Sequence, residues 1–94
     1  MNANNIDAPI RSALVEQSGN QNLLFLDGFD DCLLGLVERF GMESVPLYDK
    51  DKIIQSLMRD GCSYEEAVEY FDFNIIGAWV GALTPAFFTR PDVP

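Results

Sequence analysis

Apolar positions along the 94-residue chain change their spacing from one segment to the next, and each change predicts a different element. Residues 1–22 are rich in Asn, Gln and Ser, and within them "APIRSALVE" has two helical turns' worth of weak apolar character with Pro9 at a first-turn position. The segment reads as a flexible N-terminal arm that docks on the domain or on another subunit. From Leu23 the chain turns strongly apolar. Cys32, Leu34 and Leu36 alternate as in a strand, while Leu33, Leu36, Val37 and Phe40 recur as in a helix. Gly35 weakens the helix, so a strand is expected there, joined through a "GMES" loop at residues 41–44 to a second strand at 45–48, where Pro46 suits a sheet edge.

Further on the helical signals are local and strong. Asp49 can cap a helix over 50–60 whose Ile53, Ile54, Leu57 and Met58 share one face, with Gly61 as its stop. Ser63 followed three residues later by Glu66 has the form of a capping box and opens a helix over 63–78. On that helix Ala67, Phe71, Asn74, Ile75 and Ala78 form the inward stripe, and Glu65, Glu69 and Asp72 form the opposite ridge. "TPAFF" then predicts a short strand at 85–89. The fold class expected is α+β: a small antiparallel sheet from 32–48 and 85–89 with a two-helix hairpin packed on one face. Were residues 29–40 helical, the fold would be mostly α. The predicted domain spans 23–90, and 91–94 is a C-terminal tail.

Composition narrows the function classes. Six basic residues stand against fifteen acidic ones, a net charge of −9, which disfavours direct binding to nucleic acid and to anionic membrane surfaces and favours a protein partner with a basic surface. No apolar run reaches the length of a membrane span and the N-terminal residues lack a signal-peptide pattern, so a cytoplasmic protein of the host cell is expected. Cys32 and Cys62 have no metal or redox spacing and read as small buried thiols.

Histidine is absent, which removes the commonest general base and transition-metal ligand. Neither "DKDK" nor "DGFDD" fits a calcium loop, though Asp27, Asp30 and Asp31 retain a weak claim to a cation. No phosphate loop is present and no carboxylate pair is singled out, so the chain is expected to be no enzyme and to need no metal or cofactor.

Residues 60–89 carry Asp60, Glu65, Glu66, Glu69 and Asp72 and no Lys or Arg. Such a helix face is most simply a solvated one. Repeated carboxylates on a rigid helix can also occupy an Arg-rich groove built for phosphates, which makes Glu65, Glu66, Glu69 and Asp72 the candidate partner-binding residues. Asn74, placed on the inward stripe, allows three readings: a tie to the Thr84-Pro85 segment or the hairpin edge, a contact in a ligand pocket lined by Tyr70, Trp79 and Phe87, or a subunit interface. The aromatic surface of Phe71, Phe73, Trp79 and Phe87 exceeds what a thin domain hides and predicts a homodimer or larger assembly.

The run "YDKDKIIQSLMRDGCSYEEAVEYFDFNIIGAWVGALTPAF" resembles a family of small acidic proteins of phage and prophage type. The shared pattern falls on Tyr48, Asp49, Ile53, Ile54, Tyr64 to Ala67, Phe73, Asn74, Gly77 to Gly81, Thr84 and Pro85, and with "DGFDD" and "RFG" upstream it spans residues 27–88. Ala82 stands where that pattern has an acidic residue. The resemblance implies a genetic context and brings no activity with it. It points to an accessory or counter-defence protein: a non-enzymatic inhibitor of a host nucleic-acid-handling or defence protein, in the manner of anti-CRISPR and anti-restriction proteins. The alternative is a small-molecule or nucleotide binder, or sponge, that uses Tyr70, Asn74, Trp79 and Phe87.

Overall fold

The computed structural model describes the backbone of residues 2–3 and the whole of residues 9–93; the remainder of the predicted arm and the last residue of the predicted tail lie outside the described residues. Among the described residues three helices and a small three-stranded mixed sheet make an α+β fold. In chain order the elements are β1 (Asn2–Ala3), α1 (Pro9–Ser18), β2 (Leu24–Phe25), β3 (Leu33–Arg39), β4 (Met42–Asp49), α2 (Lys50–Arg59), α3 (Tyr64–Tyr70) and β5 (Ala86–Phe88). The short strands β1 and β2 pair with each other, separately from the β3-β4-β5 sheet.

The hairpin is tighter than expected. Its loop is Phe40–Gly41 alone, because Gly41 takes the left-handed φ of 74° that so short a turn demands. Glu43 and Ser44, read from sequence as loop, therefore belong to β4. A second departure explains the mixed periodicity of residues 32–37. Leu33 pairs with Tyr48 and Gly35 with Leu47, so Leu34 is an extra residue in a bulge. The bulge resets the alternation and lets both Leu33 and Leu36 face the core, while Leu34 is exposed. β5 pairs with β4 in parallel, not antiparallel as predicted, since the chain first descends through α2 and α3 before returning. Pro46 lies in the central strand, buried, at a point where no β5 residue is registered opposite it.

The core joins Phe25, Leu33 and Tyr48 to Ile53 and Ile54 of α2 and to Ala67, Phe71 and Ile75 after it. Met58, assigned from sequence to the same face as Ile54, is exposed at the end of its helix. The fully buried Tyr48 accepts a hydrogen bond from the Leu26 amide at 2.9 Å, and burial pushes its hydroxyl pKa up to about 12. Both cysteines are free: Cys32 is buried and Cys62 half-buried.

Of the segment read from sequence as an arm that docks on the domain or on another subunit, α1 docks on the domain. Leu14 of α1 belongs to the core, and Arg11 is only 3% exposed. Its guanidinium donates from Nε to Asp30 Oδ1 at 2.7 Å and from Nη2 to the Leu26 carbonyl at 2.9 Å, while Asp27 lies 3.8 Å away. The positive charge at Asp27 and Asp30, for which sequence suggested a weak cation site, is thus supplied by the protein itself.

Candidate interaction surface

The surface around α3 is built by two locally encoded caps. Asp49 Oδ1 accepts from the amides of Asp51 and Lys52 and starts α2. Ser63 and Glu66 then form the full capping box: the Glu66 amide donates to Ser63 Oγ at 3.1 Å and the Ser63 amide to Glu66 Oε1 at 2.9 Å. Hydrogen bonding to the carboxylate by the Ser63 amide first, and by the Ser63 side chain second, holds the Glu66 carboxyl below its ordinary pKa. Glu66 is thereby committed to the helix start, while Glu65, Glu69 and Asp72 point outward as the ridge predicted.

At Phe71 the helix changes character. Residues Phe71–Ile76 form a π turn, wider than the α-helix, and the change alters which side chains face the core. Phe71 and Ile75 remain buried, but Asn74 is exposed. It does not lie on the inward stripe, because the wider turn carries position 74 off the line through 67, 71 and 75. The return of the chain is fixed instead by Thr84, whose Oγ1 donates to the Gly81 carbonyl at 2.6 Å and accepts from the Val80 amide at 3.0 Å.

Gly77 closes the π turn for a steric reason, since a Cβ there would sit 2.7 Å from the Asp72 carbonyl oxygen. Gly77→Ala is expected to destabilise the fold by about 1–3 kcal/mol through this clash. A shift of the urea midpoint, with slope unchanged, measures it.

The four residues assigned to a ligand pocket are not brought together. Tyr70 and Asn74 border a shallow depression of about 470 Å³ with Phe73, Glu66 and Glu69. Trp79 faces a different groove, across the sheet from the helices. Phe87 is half-buried and packs against the core, edge-on to Phe71 with ring centroids 5.1 Å apart and tilted against Tyr48. Tertiary packing, which the helical wheel does not encode, withdraws Phe87 and leaves an open acidic and aromatic surface. Of the aromatics taken from sequence as surplus, Phe71 is fully buried, whereas Phe73 and Trp79 are 75% and 74% exposed.

The apolar exposure beside the carboxylates is a feature that the sequence reading does not join to the ridge. Tyr70, Phe73 and Ile76 are all exposed within the segment that also bears Glu69 and Asp72. The signal was in "EYFDFNII", where apolar residues are too dense for one buried stripe to hold them all. Among the described residues no helix is long and apolar enough to cross a membrane, and no cluster of three or more potential metal ligands occurs.

Fold and surface together define a small α+β protein with an exposed helix that is acidic and aromatic at once. Comparison with protein-family models, with curated proteins and with solved structures gives no match to this chain.

Proposed function

We propose that the protein is a non-enzymatic interaction protein of mobile-element type, which inhibits a host nucleic-acid-handling or defence protein by occupying its basic surface, in the cytoplasm of the host cell. The observation that carries this reading is the juxtaposition on α3 and its π turn of Glu65, Glu69 and Asp72 with exposed Tyr70, Phe73 and Ile76. A face that is merely solvated has no use for three large apolar side chains held in water. Carboxylates steer the encounter with a positively charged groove, and the aromatic and aliphatic side chains supply the area that becomes buried on contact. The phage-like sequence pattern supplies the cellular setting, and the assembly of more than one copy belongs to the same proposal.

The ridge is tested by capture of a binding protein from lysate of the natural host at low and high salt, then by affinity measurement with the identified partner. A basic, nucleic-acid-handling protein that is released by salt is expected. Changing Glu65, Glu69 and Asp72 together to Lys should weaken its binding at least tenfold, since each pair turns from attraction to repulsion. Unchanged affinity in this triple variant would rule out the acidic ridge as the binding surface.

A further inference from the structure

We infer that the groove on the helix-free face of the sheet is the contact through which a second copy of this chain binds. Val45 is buried yet lies outside the helix-side core, because three positions separate it from Tyr48 and side chains alternate along a strand. Its face, with Val37, Ala86 and Met42, borders a groove of about 340 Å³ whose far wall is Trp79. The wall is held in place by the Thr84 clasp on Val80 and Gly81. Around the groove, Met42 and Val80 are more than half exposed and Phe40, at the hairpin tip, is fully exposed.

Charge selects the occupant. A chain of net charge −9 repels its own copies wherever carboxylates face each other. Among the described residues no Asp or Glu lines this groove and Arg39 is the one charged residue that does; Glu43 stands at its rim, beside Met42 and Ala82, and residues 77–89 contain no charged side chain. Two such chains therefore meet fewer facing carboxylates here than on the ridge of Glu65, Glu69 and Asp72, with Glu43 confined to the rim. A two-fold contact suits the placement as well: Trp79 is largely exposed and borders the groove, so the same patch on two copies offers an aromatic ring and an apolar groove to each partner. This inference rests on the assembly of more than one copy proposed above and is independent of the acidic ridge, which such a dimer leaves to another partner.

Trp79 is the chain's single tryptophan and reports on the contact directly. The experiment measures mass by sedimentation equilibrium and tryptophan emission on the same samples of the full chain, from low micromolar to millimolar. Mass should rise to twice that of the chain, and emission should move to shorter wavelength in step with it as Trp79 leaves water. Added salt should tighten this self-association, by screening repulsion, whereas it loosens binding at the ridge, so the two surfaces fail or succeed separately. Met42→Glu places a carboxylate at an exposed groove position, and its circular dichroism should match the parent. It should weaken the dimer at least tenfold. Monomer mass at every concentration overturns the proposal, including the case in which Trp79 emission is already blue-shifted because a small molecule fills the groove. A dimer in which Trp79 emission or the Met42→Glu variant leaves the equilibrium unmoved overturns it also, by placing the contact elsewhere.

Discussion

Replacing Arg11 with alanine is expected to cost about 3–4 kcal/mol of stability, a large fraction of what a domain of this size has to spare. The side chain is almost wholly buried, and its fork serves two acceptors at once, the Asp30 carboxylate at 2.7 Å and the Leu26 carbonyl at 2.9 Å. Its cationic carbon also stands 5.2 Å from the centre of the fully buried Phe25 ring. Alanine removes the donors and leaves the carbonyl and carboxylate behind, and only the carboxylate keeps some water, since Asp30 is about one-third exposed. Arg11→Lys retains the charge but lacks a rigid fork, so a loss of roughly half that size is expected. Urea unfolding followed by circular dichroism measures both. Hydrogen exchange adds the location: amides of α1 should lose protection first, ahead of those in α2. A loss under about 1 kcal/mol for the alanine variant would mean that α1 is held by its apolar contacts alone.

The same contact shows why part of the fold was legible in the sequence and part was not. α2 and α3 are legible with their caps because Asp49, Ser63 and Glu66 hydrogen-bond to amides two or three residues away, and such pairs are visible in a linear string. The outward position of Glu65, Glu69 and Asp72 followed from the same local geometry. α1 has only a thin apolar face, and what docks it is an arginine reaching residues 15 and 19 positions further on. Nothing in "APIRSALVE" announces that. The bulge at Leu34 likewise depends on which register the partner strand imposes, and the parallel sense of β5 on the route taken by two intervening helices. Asn74 leaves its expected stripe through a smaller cause with a larger consequence. A helical wheel assumes one constant period, and a single π turn breaks it at the point where the candidate site begins.

Asp49→Ala should be the second most damaging substitution, at about 2–4 kcal/mol, because one carboxylate joins three elements. It is the last residue of β4 and the N-cap of α2, and its fully buried Oδ2 accepts from Arg90 Nη2 at 2.6 Å just beyond β5. Burial by itself would raise the pKa of this carboxyl. The hydrogen bond from Arg90 and those from the Lys52 and Asp51 amides outweigh burial and hold it below the ordinary value of 3.8. A carboxylate whose pKa is lowered by folding binds its proton more weakly in the folded state than in the unfolded chain. Its contribution is therefore complete above pH 3.8 and is lost as the pH falls through the lower, folded value. Asp49→Asn keeps an oxygen for the helix cap and loses the charge, so its deficit against the parent should be largest near neutrality and shrink on acidification below 3.8. Arg90→Ala should cost less, about 1 kcal/mol, since Arg90 is half exposed and the helix amides still serve the carboxylate. Urea midpoints of the three variants, taken at neutral pH and again in acid, test the order and the sign together. If the Asp49→Asn deficit stayed constant across that range, the charge on Asp49 would be no part of what holds the end of the sheet to the start of α2.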